Sequence, residues 1–198
     1  MSEEYWKAKK AADDFEVYWN LKNKPALEQR WGLVERLAKK SPYSTLLDVG
    51  CGIGNLIAFT SLATTENYLG IDISPPMVER ARTLHPGYRF EVADPMKFDN
   101  ISDLVVAHGI LLHQYDLFLK LHRLIELTGN CLIFNVLVTK EGYSRRSSEG
   151  YWGRVIGDEE YMFMKDDLGK DFSIEEVKFG EWSGHREYYL CCQRRQGS

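Results

Sequence analysis

Gly50, Gly52 and Gly54 alternate with Cys51 and Ile53 in LLDVGCGIGNL (46–56), behind Asp48 and ahead of Asn55. Glycine reaches backbone conformations closed to other residues and lets a second group come close to the main chain. Asp72 then closes YLGIDIS, and Asp94 closes YRFEVAD. A carboxylate at such a strand end accepts hydrogen bonds from two ribose hydroxyls and repels a phosphorylated ribose. The Asp94 carboxylate is placed to take the amino group of adenine, with Ile73 and Met96 as apolar plates for the ring. Asp before Pro95 is also a common turn starter. Turn, acid and acid, each ending one of three successive strands, make a site for an adenosine with a free ribose. A dinucleotide fingerprint, G-x-G-x-x-G, needs glycine at 55; the chain has Asn55 and reads D-x-G-x-G-x-G. Asp48 either braces the turn or belongs to the site. Two histidines follow, His108 at the end of DLVVAHG and His113 in GILLHQYD. An imidazole titrates near neutrality and suits proton transfer or orientation of a substrate. His113 reads equally as a packed histidine. His85 and His122 read as structural, and His185 as an exposed turn residue.

The elements that hold these groups alternate. Leu27, Trp31, Val34, Leu37 and Ala38 recur at helical spacing, and Pro42 ends that helix. Residues 45–50, 67–73, 88–94, 103–109 and 131–139 read as strands; 55–65, 74–84 and 114–129 read as helices. Ser74 is placed as an N-cap ahead of two prolines, and Gly129 as a stop. Strands alternating with helices imply a parallel sheet with helices on both faces. In such sheets ligands bind beyond the carboxyl ends of the strands, where the glycine run lies. IEEVKFGEW and REYYLCCQ flank SGH and read as an antiparallel hairpin. The segment 140–163 shows no clear period in its first part and reads as an insertion or lid loop. Residues 1–25 are charged yet carry Tyr5, Trp6, Phe15, Tyr18 and Trp19, a composition foreign to disordered leaders; they read as an aromatic cap.

The chain has 198 residues and a formal charge of −4, which fits one domain, 1–198, with a sizeable core. No apolar run reaches membrane-spanning length, and the charged start does not read as a signal segment. Cys51, Cys131, Cys191 and Cys192 lack the spacing of a zinc site. They read as reduced thiols in a cytoplasmic protein, with no metal. A mildly acidic chain is a poor partner for nucleic-acid backbones.

Residues 45–113 resemble the class I S-adenosylmethionine-dependent methyltransferases of small-molecule type. The segments that carry the likeness are LLDVGCGIGNL, YLGIDISPPMVERA, FEVADPM and DLVVAHGILLHQYD. The resemblance implies a Rossmann-like, doubly wound, seven-stranded and mostly parallel sheet whose last strand runs antiparallel. It implies S-adenosylmethionine as cofactor, with Gly50 to Gly52 near its methionine part, Asp72 on ribose and Asp94 on adenine. Ala107 and His108 would lie beside the methionine amino group and the methyl. Cys51, Asn55 and Met77 complete the candidate cofactor set. HGIL stands where base-methylating enzymes often carry an Asn- or Asp-Pro-Pro-aromatic run, so the expected acceptor is a small molecule methylated on O or N, and nucleic acid is disfavoured.

Methyl transfer from a sulfonium needs positioning and exclusion of water, and a base only for a protonated acceptor. His108 is the first candidate for that base and His113 the second. Trp6, Tyr18, Trp19, Tyr151 and Trp152 are candidates for an aromatic cover over a cationic or aromatic acceptor. Arg145 and Arg146 point instead to a carboxylate or phosphate, or form a solvated face. Two other readings stay open: a nucleotide-dependent oxidoreductase of related fold, and a non-catalytic S-adenosylmethionine-binding scaffold. Oligomeric state is open.

Overall fold

Alternate residues of the central strands enter two different cores, so the sheet is covered on both faces. In β1 (Leu46–Val49), β4 (Ser102–Ala107) and β5 (Thr128–Val138), Leu47, Val105, Leu132 and Phe134 join one cluster. Leu46, Leu104, Val106 and Ile133 join the other. The first face is packed by α4 (Leu117–Glu126) and α5 (Asp158–Leu168), through Leu117, Leu121, Leu124, Tyr161, Met164 and Leu168. The second is packed by α1 (Lys24–Ala38), α2 (Asn55–Phe59) and α3 (Pro75–Leu84). These are the period-2 and period-3.6 patterns expected of a doubly wound sheet. The computed structural model describes residues 24–113, 116–146 and 152–195, with only the backbone of His113, Arg145, Arg146, Trp152 and Trp182.

Seven strands form the main sheet in the order β3-β2-β1-β4-β5-β9-β8, where β2 is Tyr68–Asp72, β3 Arg89–Val92, β8 Phe172–Trp182 and β9 His185–Arg194. The first five are parallel. β9 runs antiparallel between β5 and β8, pairing Cys131–Val138 on one side and Phe172–Trp182 on the other. The closing hairpin expected from the sequence is therefore present, and its second strand is inserted into the sheet.

The segment 140–163 corrects the loop expectation. β6 (Glu141–Arg146) and β7 (Trp152–Gly157) form an antiparallel ribbon, and α5 begins at Asp158. The ribbon joins β5 at one point, Val138 beside Ile156. Since β9 occupies the other edge of β5, β7 lies on the edge already used by β4, beyond the carboxyl end of β4. Gly142 explains why sequence periodicity failed here. Its φ is +69°, and a Cβ there would lie 2.4 Å from Gly157 N. Close backbone approach at the ribbon's open end, rather than alternation of side chains, fixes the pairing.

Two helices also end sooner than the sequence suggests. α2 stops at Phe59, and Thr60 turns into extended backbone at φ −135°; the neighbouring Ser61 gives both its N–H and its hydroxyl to Glu35 on α1. α4 starts at Leu117, and β5 already begins at Thr128. Among the described residues, no helix is long and apolar enough to cross a membrane.

Candidate active site

The candidate site, which a doubly wound sheet places as a crevice beyond its strand ends, lies along the carboxyl ends of β3, β2, β1 and β4, and hydrogen bonds tie these ends together in sequence. Gly50 and Cys51 both donate their N–H to the Ile71 carbonyl, at 2.8 and 3.0 Å. Gly52 N–H donates to Asp72 Oδ2 at 3.0 Å, and Ser74 N–H to Oδ1 at 2.9 Å. Ala93 N–H donates to the Asp72 carbonyl at 2.9 Å. Asp72 is thus a hub: it holds the glycine turn, the start of α3 and the end of β3. Burial pushes its pKa up, and the backbone N–H groups of Ser74, Gly52 and Ile73 pull it back. Its side chain remains half-buried, so lone pairs are left for a ligand's hydroxyls.

The three glycines of the turn differ in what they avoid. All three have left-handed φ, +72°, +53° and +89°. A Cβ on Gly50 would meet the Ile110 side chain at 3.2 Å, and one on Gly54 would meet the His85 ring at 2.5 Å. Gly54 therefore serves packing under the turn. His85 is the structural residue the sequence suggested.

Asp48 lies beneath the turn. It is 2 % exposed, and its Oδ2 accepts the Tyr68 hydroxyl at 2.9 Å. Burial raises its pKa to about 7, against the pull of that hydrogen bond and with a further push from Asp72. Its printed hydrogen bond thus ties β1 to β2. Asp94 stands half-buried after β3. Its Oδ1 accepts Met96 N–H at 2.9 Å, capping the short 3-10 turn Pro95–Lys97, and Lys120 Nζ is 4.0 Å away. It serves as turn starter while its second oxygen is not taken up by that cap.

Beyond β4 the character changes. His108 follows the strand and turns toward α1, its ring 4.6 Å from that of Trp31. Its Nε2 is 2.8 Å from the Tyr189 hydroxyl on β9. Burial holds its pKa down to about 4, with Glu187 opposing and Arg30 assisting the drop. Burial thus favours the neutral imidazole and makes it a weak base. Next comes Gly109, with φ +78° and open space where a Cβ would stand. Its N–H donates to Asn135 Oδ1 at 2.7 Å, and Asn135 Nδ2 donates to Glu187 Oε1 at 3.1 Å. Arg30 grips Glu187 with Nε at 3.1 Å and Nη2 at 2.8 Å. Burial works against the Arg30 charge, but the bonds to Glu187 overcome it and raise its pKa. Trp31 Nε1 is buried without a hydrogen-bond partner among the described residues.

Comparison with known proteins agrees with this arrangement. Residues 47–129 match the methyltransferase domain family. The chain is 36% identical over 109 residues to trans-aconitate 2-methyltransferase of Enterobacter sp. strain 638, covering 54% of this chain and 41% of that protein. It is 29% identical over 140 residues to phosphoethanolamine N-methyltransferase 3 of Arabidopsis thaliana, covering 59% and 28%. The chain thus spans less than half the length of either relative. The crystal structure of magnesium protoporphyrin IX methyltransferase from Synechocystis PCC 6803 with bound S-adenosylmethionine superposes with a TM-score of 0.68 at 19% identity, over 97% of this chain and 94% of that one. This chain has the fold of the class I S-adenosylmethionine-dependent methyltransferases.

In this methyltransferase fold the expected cofactor residues divide in two. Gly50, Asp72, Ile73, Asp94, Met96 and His108 are at least partly open at the crevice. Asp48, Cys51, Gly52, Asn55, Met77 and Ala107 are buried, Met77 at 2 % and Ala107 at 0 %, and shape the turn and strand ends. The fit to S-adenosylmethionine is carried by Asp72, a half-open carboxylate already oriented by two backbone donors. Trp6, Tyr18, Trp19 and Tyr151 lie outside the described residues, as do the side chains of His113, Arg145, Arg146 and Trp152. Sequence reading missed Tyr68, Ile110 and the Arg30–Glu187–Asn135 chain. A polar Asn inside the apolar run CLIFNVLVT was the available signal for the last of these. His185 also differs from expectation: its Nε2 is 2.5 Å from the Tyr143 hydroxyl on β6, so it docks the ribbon.

Proposed function

We propose that the chain transfers a methyl group from S-adenosylmethionine to an oxygen or nitrogen of a small molecule. The observation that carries this is Asp72, fixed by Gly52 and Ser74 at the end of β2 beside a turn of left-handed glycines. S-adenosylmethionine, when bound, supplies a methyl on a sulfonium that is already activated for displacement. Asp72 would hold the ribose, and Asp94 with Ile73 and Met96 the adenine. The chain's own task is then to orient the acceptor and exclude water.

The state of His108 narrows the chemistry. A neutral imidazole with a pKa near 4 orients a partner by hydrogen bonding and is a weak base at pH 7. Acceptors that are nucleophilic without losing a proton to His108, such as a carboxylate or an unprotonated amine, suit it best. β7 packs against the turn Leu111–His113, which follows β4. We assign the β6–β7 ribbon, with the aromatic residues 1–25, the role of a cover that selects the acceptor. The small-molecule substrates in the names of the relatives support this reading, and four free, buried cysteines among the described residues suit a cytoplasmic location.

The test uses methyl-labelled S-adenosylmethionine with fractionated metabolite pools. Label appearing in a small molecule, together with thermal stabilisation by S-adenosylhomocysteine, is the expected result. Stabilisation by NAD and none by the adenosylated amino acids would favour the oxidoreductase reading. Binding without transfer to any pool would favour the scaffold.

A further inference from the structure

Cys131 on β5 and Cys191 on β9 bring their sulfurs to 3.5 Å from each other inside the protein. Both are 1 % exposed, and both belong to the core on the α1 face of the sheet. The register explains the approach. Ile133 stands opposite Cys191, and Gln193 opposite Cys131. The two cysteines therefore share one face and lie diagonally, two positions apart along the antiparallel pair. Cys192 stands opposite Leu132 and enters the core on the other face. Cys51 lies in the glycine turn at the carboxyl ends of the strands, whereas Cys131 is near the start of β5. Proximity thus selects one pair among the four cysteines.

The bond between the two sulfurs makes them unequal. The Cys131 thiol lowers the pKa of Cys191 by donating to it, with Lys40 assisting and burial and Glu175 opposing. The same bond, with burial, pushes Cys131 up. The cover over the pair is thin. Ser41 and Pro42 follow α1 outside any helix or strand. Ser41 is 8 % exposed, and its hydroxyl lies within hydrogen-bonding reach of Cys131. Asn130 holds the Pro42 carbonyl at 2.9 Å. Lys40 holds Glu175, the β8 residue opposite Cys191, in an exposed ion pair at 2.6 Å. A short irregular segment of this kind opens more readily than the sheet beneath it, and a reagent little larger than water needs no wider opening.

We propose that Cys131 and Cys191 are a modification site, at which hydrogen peroxide forms a reversible disulfide that staples β9 to β5. The Cys191 thiolate attacks one peroxide oxygen. An S–O bond forms as the O–O bond breaks, and the departing hydroxide takes a proton to become water. The Cys131 thiolate then attacks the sulfenic sulfur of Cys191. The S–S bond forms, the S–O bond breaks, and a second water leaves. Two thiols lose two electrons and two protons, and one peroxide becomes two waters. Diagonal neighbours lie farther apart at Cα than a relaxed disulfide prefers, so the bond is strained and reopens with thiol reductants. In a reducing compartment the pair rests as free thiols.

The test treats the full native chain with enough hydrogen peroxide to oxidise the exposed Met162. Free thiols are then alkylated, and the peptides are mapped by mass spectrometry without reduction. Two of the four thiols should be lost, in one linked pair of peptides carrying Cys131 and Cys191, and dithiothreitol should restore both. Cys192→Ser should still form the bond, whereas Cys131→Ser and Cys191→Ser should form none. The wild-type map alone decides the pairing, so a serine variant that fails to fold leaves the result intact. Four alkylated thiols beside an oxidised Met162, a link through Cys51 or Cys192, or Cys191 carried to its sulfinic acid without a link, overturns the proposal.

Discussion

From Gly50 to Asp94 the crevice is built by successive strand ends, each bonded to the next through main-chain groups: Gly50 and Cys51 to Ile71, Gly52 to Asp72, Ala93 back to Asp72. From His108 onward it is built by side chains from three elements remote in sequence: Trp31 and Arg30 on α1, Asn135 on β5, Glu187 and Tyr189 on β9. The first stretch is a backbone device. The second is a buried polar network in which every member depends on another. Networks of that kind fix geometry, and they fail together when one partner is removed.

The largest expected effect falls on the network. Glu187→Ala leaves Arg30 and the Asn135 amide without their shared partner in the interior. It should cost about 3–5 kcal/mol of unfolding free energy in denaturant titration. A loss below about 1 kcal/mol would mean that the network is expendable and erase the contrast.

The second effect concerns pH, where the two sides carry opposite signs. Asp48 rises from 3.8 to about 7 on folding. As pH climbs through that window the unfolded chain ionises while the folded chain keeps its proton, so stability falls and then levels above 7. His108 drops from 6.5 to about 4. As pH falls through that window the unfolded imidazole gains a proton that the folded one refuses, so stability falls toward acid. Each contribution is on the order of 3 kcal/mol, and they oppose each other between pH 4 and 6.5. Asp48→Asn should therefore expose a stability that rises with pH, and His108→Gln one that falls. Unchanged slopes in denaturant titrations across this range would show that neither group is held as its burial implies.

Asp72→Ala should reduce S-adenosylhomocysteine affinity by about 1–3 kcal/mol, because ribose contacts and the anchor of Gly52 are lost together. A folded variant with wild-type affinity would move the donor elsewhere. The smallest effect belongs to the ribbon. Tyr143→Phe removes an exposed bond to His185 and should cost less than about 1 kcal/mol. A larger loss would make the ribbon part of the core rather than a cover on it.

The same contrast explains what the sequence could reveal. Asp72, Asp94 and the glycine run lie at the ends of neighbouring strands that follow each other in the chain, so spacing alone brings them together. His108 was visible as a strand-end residue, but its burial against Trp31 and Tyr189, and with it the lowered pKa, depends on two segments remote in sequence. Asp48 was ambiguous because its partner, Tyr68, is set by the parallel register of β1 and β2 rather than by any local pattern. The ribbon was illegible because glycines at 142 and 157 set its pairing by close approach, which leaves no alternation of apolar and polar residues to read.

The antiparallel insertion of β9 also sets an order of assembly during synthesis. Every strand of the first stretch has emerged once β4 is made, and those strands pair as neighbours in the growing chain. The edge of β5 that receives β9 stays open until residues 185–194 appear, and Glu187 and Tyr189 arrive with them. A chain stopped before that point would carry its glycine turn and Asp72, yet present Cys131–Val138 as an unpaired, apolar strand edge, the kind of surface that recruits other chains. The β8–β9 hairpin thereby both covers that edge of β5 and brings Glu187 and Tyr189 to Asn135 and His108.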